Sequence, residues 1–432
     1  MRVAAPDVIP RLQALLGADA VITEATGPWA VEGMVPRAAV RPADAAQTAA
    51  VLRVCSEAGA AVVPWGGGTA VEVGNPPRAV EVVLLTDRLS RVVEHDHSNL
   101  TVTVEAGITL GALEAALAAH GQFLPLEPPH AEAATAGGAI ATALSGPRRM
   151  AYGAPRDLVI GIRAALPQGT VIRWGGKTVK NVAGYDMGKL FVGSLGTLGV
   201  ITELTFKVSP LPETSKTIVV WGGDLLSLAE FAGRIAASPL QPTAITVLNR
   251  AGAAALGRDP ALLLVRAEGV EAATARHERD LTAWAAGARY DAETLTGWAE
   301  AATWRTVRDL GWRGEQVTMR IAVPAGRTAV LLDRLRQVLS PSWGIAAHMA
   351  AGTVWIAADG DRLVPSALAS VRDLASSLGG HFLLARGPRT FKEGADVWAP
   401  APEARVLELM RGLKQAFDPQ STLNPGRYIA GL

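Results

Sequence analysis

The sequence predicts an α+β chain of more than one domain, and three observations carry that expectation. Its 432 residues exceed what one hydrophobic core usually organises. Short segments with strand-like alternation are interleaved with longer segments of helical periodicity. Pro210 and Pro212 punctuate the middle of the chain, and the pattern changes in character after them.

The elements follow in order. Asp44 and Gln47 stand at capping-box spacing ahead of an apolar stripe that ends at Gly59, so a helix is expected over residues 44–57. Cys55 lies on it as a core residue. A strand over 61–64, a glycine turn, and strands over 80–85 and 100–105 complete an expected small mixed subdomain. Thr109 caps a helix that places Leu110, Leu113 and Leu117 on one face, with Gly121 closing it. Pro125, Pro128 and Pro129 then stiffen a loop. A second subdomain is expected over about 133–212, including a strand at 200–206. Beyond it, strands at 218–221, 261–266, 316–322 and 353–357 alternate with helices at 225–237 and 326–339, the pattern of an α+β domain on an antiparallel sheet. A helix over 405–417 offers Leu407, Leu409, Met410 and Leu413 for packing. The tryptophans of the second half are read as core.

Composition excludes several classes. The 41 basic and 40 acidic side chains leave a net charge of +1, with no global pull toward nucleic acid or anionic lipid. Mean hydropathy is +0.22, carried largely by alanine, and each apolar run breaks well before the roughly 20 residues that span a bilayer. No continuous apolar stretch precedes Arg11, so no secretory signal and a cytoplasmic location are expected. The single cysteine excludes an intramolecular disulfide and a cluster held by four thiolates of this chain. No metal motif is present. His95 and His97 lack further ligand-like neighbours in sequence and read as solvent-facing.

The chemistry sits in two glycine-bearing stretches. Pro64-Trp65-Gly66-Gly67-Gly68-Thr69-Ala70 follows an apolar strand, and its consecutive N–H groups can curl around a phosphate. No Lys-Ser/Thr follows and no G-x-G-x-x-G opens a helix, which argues against a P-loop or Rossmann site. Gly193, Gly196 and Gly199 punctuate the second stretch, where glycine allows backbone to approach a flat ligand closely. Between them lie Ala134-Thr135-Ala136-Gly137-Gly138-Ala139-Ile140-Ala141-Thr142 and Tyr152-Gly153-Ala154-Pro155-Arg156-Asp157. This order resembles the FAD-binding domain of the vanillyl-alcohol oxidase / p-cresol methylhydroxylase (PCMH-type) family. Lys180-Asn181-Val182-Ala183-Gly184-Tyr185-Asp186 and Leu144-Ser145-Gly146-Pro147 are similar to the FAD-binding E subunits of bacterial glycolate oxidases, and 417–427 resembles the family's closing segment.

The resemblance implies a PCMH-type domain of two α+β subdomains over 1–212, an α+β cap over 213–390, and a tail over 391–432 that packs back on the first domain. It implies non-covalent FAD. The backbone of Trp65, Gly66, Gly67, Gly68, Thr69 and Ala70 would hold the pyrophosphate, with Pro128 beside it. Thr135, Gly137, Gly138, Ala141 and Thr142 would run along the other side, Gly199, Val200 and Ile201 would meet the adenine end, and Arg427 would close the site. The implied partners are a catalytic FAD subunit and an iron–sulfur subunit at the inner face of a membrane, and the implied substrate is a small 2-hydroxy acid.

One departure bears on chemistry. Related catalytic chains carry a cap motif resembling His-Ala-Gly-Asp-Gly-Asn-Leu-His and a later Glu-His-Gly. Here the counterparts are His348-Met349-Ala350-Ala351-Gly352-Thr353-Val354-Trp355 and Ala385-Arg386-Gly387. The candidates for proton transfer and carboxylate binding reduce to His348, His130 and Arg386. This loss favours a subunit that binds FAD without oxidising glycolate in the usual way over an autonomous D-2-hydroxy-acid dehydrogenase, and the intact glycine segments argue against a flavin-free scaffold.

Overall fold

A computed structural model describes residues 7–176, 185–314, 316–359, 364–394 and 396–432. Lys180, Asn181, Val182, Ala183 and Gly184, part of the stretch that suggested the E-subunit resemblance, lie outside the described residues. The chain forms two compact units. One comprises Met1–Leu144, Ala154–Pro210 and Ala401–Leu432; the other comprises Ser145–Gly153 and Leu211–Pro400.

The first unit holds two principal sheets. A four-stranded sheet runs in the order Val21–Ile22, Ala38–Val40, Val82–Leu85, Val62–Trp65, with its last three strands parallel. Helix Ala45–Ala58 packs its apolar face into the core beside this sheet. Asp44 caps it by accepting from the Gln47 N–H at 2.8 Å, and Gly59 ends it at a left-handed φ of 65°. Cys55 is fully buried there, and burial pushes its thiol up to about 12.

A five-stranded antiparallel sheet follows the order Val92–Asp96, Thr101–Glu105, Val200–Lys207, Val159–Ala165, Val171–Gly175. This corrects the expected grouping. The strand at 101–105 belongs to the second sheet, because its ladder partner is the distant strand Val200–Lys207, with Glu105 opposite Glu203. Nearness in sequence is no guide to such pairing. Helix Leu110–Ala118 is capped by Thr109 and buries Leu110, Leu113 and Leu117 as expected.

The tail returns to this unit. On helix Ala404–Phe417 the buried residues are Lys414 and Phe417, with Leu407, Met410 and Leu413 half-buried. Leu409 is 64% exposed, contrary to expectation, since it falls off the stripe formed by 407, 410, 414 and 417.

The second unit is built on a nine-stranded sheet, every ladder antiparallel, in the order Asp291–Thr296, Thr214–Trp221, Leu262–Gly269, Ala244–Leu248, Gly344–His348, Thr353–Asp359, Gln316–Ala322, His381–Arg386, Trp398–Ala399. Ala244–Leu248 and Gly344–His348 escaped sequence reading. Both are buried along their whole length, so neither shows the alternation that marks a half-buried strand. Trp304, Trp312, Trp343 and Trp355 are core residues, whereas Trp298 is 79% exposed. Buried ion pairs join Arg148 to Glu268 at 2.6 Å and Arg266 to Glu300 at 3.1 Å. Among the described residues, no helix is long and apolar enough to cross a membrane.

Candidate cofactor site

Strand Val62–Trp65 runs into the turn 66–70, and the packing behind the turn dictates glycine. A Cβ on Gly66 would stand 2.1 Å from Thr135 Oγ1, and one on Gly67 would stand 1.9 Å from the Ala133 carbonyl oxygen. Gly68 takes φ of 72°, a backbone conformation costly for a side chain. The N–H groups of Gly66, Gly67, Gly68, Thr69 and Ala70 meet no acceptor among the described residues. Consecutive unsatisfied donors on a half-exposed turn form a cradle for an anion, and phosphate oxygens fit it.

The short helix Ala136–Thr142 lies across from the turn. Its cap, Thr135, accepts from the Gly138 N–H at 3.2 Å, and Thr142 Oγ1 donates back to the Gly138 carbonyl at 2.8 Å. Gly137 is pressed against Ala106 and donates its N–H to the Ala106 carbonyl at 2.7 Å. The segment before Val200–Lys207 is docked on this helix, where the N–H groups of Gly193 and Leu195 donate to the Ile140 and Ala141 carbonyls. A Cβ on Gly199 would stand 2.9 Å from the Phe191 ring. At Gly67, Gly137 and Gly199, then, the demand for glycine comes from the protein's own packing rather than from close approach to a ligand.

The C-terminal segment completes the walls. The Val62 N–H donates to the Thr422 carbonyl at 2.8 Å, and the Asn424 N–H donates to the Val62 carbonyl at 2.9 Å. Asn424 Nδ2 donates to the Leu195 carbonyl at 2.6 Å, while its Oδ1 is buried without a partner. Arg427 is buried and donates from Nη2 to the Val71 and Val73 carbonyls. Burial lowers it to about 10. Its guanidinium braces the backbone that follows the glycine turn, and the residue also lines the cleft that it was expected to close.

These walls line a cleft with about 960 Å³ of empty space, the open solvent at its mouth included. Every residue that the sequence assigns to the cofactor, from Trp65 and the turn through Pro128, the 135–142 segment and 199–201 to Arg427, lines it. Sequence reading missed Thr86, Ala106, Leu195 and Asn424. Only Asn424 carried a signal, its place in the closing Asn-Pro-Gly.

Comparison with known proteins gives this cleft its context. Residues 36–175 match an FAD binding domain, and 402–428 match the C-terminal domain of FAD linked oxidases. Glycolate oxidase subunit GlcE of Escherichia coli is 34% identical over 347 residues, covering 79% of this chain and 85% of that protein. Glycolate oxidase subunit GlcD of Bacillus subtilis is 29% identical over 429 residues, covering 92% and 89%. The chain belongs to the FAD-linked oxidase family. The fold of this FAD-linked oxidase is that of p-cresol methylhydroxylase, whose solved structure superimposes with a TM-score of 0.75 at 17% identity, covering 97% of this chain and 96% of that one.

The protein is thus an FAD-dependent oxidoreductase. The cradle of unpaired N–H groups and the orphaned Asn424 Oδ1 suit a cofactor rich in phosphate oxygens and polar hydrogens. When bound, FAD supplies a two-electron acceptor; this chain's own contribution is to bind, orient and shield it.

The three proton-transfer and carboxylate candidates are placed less favourably. His130 is half-buried at a left-handed φ of 51°, its carbonyl accepting from the Ala133 and Ala134 N–H groups, and it does not line the cleft. His348 is 3% exposed at the end of Gly344–His348, with Nδ1 2.9 Å from Thr246 Oγ1. Burial lowers its pKa to about 4, so the ring is neutral at pH 7. Arg386 Nη2 donates to the Gly314 carbonyl at 2.9 Å, so backbone oxygens, rather than a substrate carboxylate, already occupy it.

Of the two histidines beside Asp96, His97 is exposed as expected and His95 is not. His95 is half-buried, with Nε2 2.8 Å from Gln122 Oε1, and His120 joins it and His97 in a ring cluster with centroids 4.9 and 5.1 Å away. Helix Leu110–Ala118 carries His120 back to the strand, a proximity that spacing alone does not reveal. Among the described residues no group of three ligand side chains is arranged to hold a metal.

Proposed function

We propose that this chain is the FAD-carrying, accessory subunit of an assembly that oxidises glycolate to glyoxylate, working beside a catalytic flavoprotein subunit and an iron–sulfur subunit. One observation carries the reading. Oxidising a 2-hydroxy acid requires a group that accepts the hydroxyl proton as the hydride equivalent leaves carbon. His348, the one imidazole retained at the cap motif, is buried, neutral and bonded to Thr246. Ala351 and Trp355 stand where a carboxylate and a second imidazole would be expected.

In this reading the turn 66–70 holds the pyrophosphate, and Thr135, Gly138, Ala141 and Thr142 flank the cofactor. Similarity to glycolate oxidase subunits supports hydroxy-acid oxidation as the activity of the assembly. The test is the visible spectrum of the purified chain before and after anaerobic addition of glycolate, then D-lactate. A flavin spectrum that stays oxidised supports the accessory role, and one that bleaches establishes an autonomous D-2-hydroxy-acid dehydrogenase.

A further inference from the structure

Ser145–Gly153 clusters with the second unit, although the residues on either side of it, Leu144 and Ala154, belong to the first. Its upstream end is the cofactor site. Helix Ala136–Thr142 stops at Ala143, whose N–H donates to the Ile140 carbonyl at 3.2 Å and whose φ of 51° is left-handed, a conformation costly for a residue with a Cβ. Leu144, 1% exposed, lines the cleft. Only Ser145, Gly146 and Pro147 then separate the cleft wall from Arg148, a link of roughly 14 Å at full stretch.

Within the second unit this segment is held by charge. Arg148 Nη2 donates to Glu268 Oε1 at 2.6 Å, the two side chains being 17% and 1% exposed. Arg266 Nε stands 3.4 Å from the same oxygen and donates at 3.1 Å to Glu300, which also accepts from Ser215 and Thr217. Glu268 Oε2 is buried with no hydrogen-bond partner among the described residues, so this carboxylate depends on the two guanidinium groups. Helix Arg149–Tyr152, which follows, packs on Ala244–Leu248 and the turn Met349–Ala351. A buried carboxylate stripped of its partner is strongly unfavourable, so Arg148 is fixed where Glu268 stands. A left-handed alanine persists only when its surroundings hold it, and downstream of Ala143 the holding group is this ion pair.

We propose that Arg148 is a positioning residue for FAD: its ion pair with Glu268 anchors the strap that follows the cofactor helix and thereby keeps Ala143 and Leu144 in the cleft wall. Cofactor binding and the anchoring of 145–153 are then one coupled equilibrium, and each strengthens the other by the same factor. This goes beyond the accessory-subunit reading and does not depend on it.

The test uses the full chain with and without FAD. The dissociation constant, read from flavin fluorescence released on dilution, is expected to rise about five- to hundred-fold in Arg148→Met, the usual size of a coupling between sites. It should stay close to that of the wild type in Arg148→Lys, which keeps the charge. Glu300→Gln is the control: it weakens the same network away from the strap, so it should lower Tm and leave FAD affinity unchanged. Reciprocally, hydrogen exchange of 145–153 should slow on FAD binding in the wild type and not in Arg148→Met. A merely structural ion pair would lower Tm without either effect. FAD affinity unchanged in Arg148→Met, or weakened equally in Glu300→Gln, overturns the proposal, as does exchange at 145–153 that is indifferent to FAD. Should Arg148→Met fail to fold, Glu268→Gln, which removes the charge and keeps an acceptor for Arg148, is read in its place against the same outcomes. Exchange at 64–70 reports separately whether FAD occupies the cleft, and bleaching by glycolate is a different readout, so failure of either reading is distinguishable from failure of this one.

Discussion

The side-chain amide of Asn424 donates to the backbone carbonyl of Leu195 at 2.6 Å, joining segments 229 residues apart at the wall of the cleft. The tail therefore supports both the turn after Val62–Trp65 and the segment that precedes Val200–Lys207. Asn424→Ala is expected to leave the buried Leu195 carbonyl without this donor, at a cost of about 1–3 kcal/mol. Chemical denaturation and the flavin-to-protein ratio should both fall. Full FAD retention at unchanged stability would show the contact to be incidental.

Lys414 Nζ donates to the Thr197 and Leu423 carbonyls at 2.8 and 3.0 Å and to Asp418 at 2.7 Å, all within the first unit. Replacing it by methionine strands a fully buried carboxylate. The expected loss is about 3–5 kcal/mol. Lys414→Met with Asp418→Asn should recover part of it, because the remaining group is no longer charged, and a double variant no more stable than the single one would contradict this account.

Charge is not what makes Gly67 intolerant of substitution. A Cβ there points at the Ala133 carbonyl oxygen from 1.9 Å, so Gly67→Ala and the charged Gly67→Asp alike should displace the turn, the alanine costing about 1–3 kcal/mol as overpacking. Loss of FAD from a folded Gly67→Ala protein is the expected outcome. If alanine retains FAD and only aspartate expels it, the side chain reaches the phosphate cradle after all.

His348 links stability to pH. Its folded pKa is about 4 against an ordinary value of 6.5, so as pH falls below 6.5 the unfolded chain binds the proton first and stability declines until about pH 4, where both states are protonated. The shift corresponds to roughly 3 kcal/mol between those limits. Urea midpoints of wild type and His348→Gln, measured across this window, should differ in slope, the variant being the flatter. Parallel curves would mean that the ring titrates normally in the folded protein.

Cys55 provides a probe of global opening. With no accessible surface and a thiol raised to about 12, it should resist a disulfide reagent at neutral pH until the first unit unfolds. Rapid stoichiometric labelling of the native protein would refute the burial described here.

The glycine turn, the capped helices 45–58 and 110–118, and the closing Asn-Pro-Gly were legible because each is a local rule, set by residues a few positions apart. Likewise, every residue assigned to the cofactor lines the cleft. What escaped was non-local. The strand Thr101–Glu105 takes its sheet from Val200–Lys207, the fully buried strands carry no alternation, and Leu409 leaves its helix stripe by one position. His348 and Arg386 appeared as candidate groups in sequence, yet their availability depends on Thr246, Gly311 and Gly314, residues dozens of positions away that occupy them.

By itself the sequence determined the α+β class, the FAD-linked family and the segments that meet to form the cofactor cleft, since those follow from short motifs whose backbone demands are met locally. Only the tertiary structure decided that Arg427 braces the backbone after the glycine turn, that the glycines answer chiefly to Thr135, Ala133, Ala106 and Phe191, and that His348 is buried against Thr246. The reason is physical: whether a polar group is free to act depends on which partners long-range packing brings to it, and burial and pairing are properties of the folded chain.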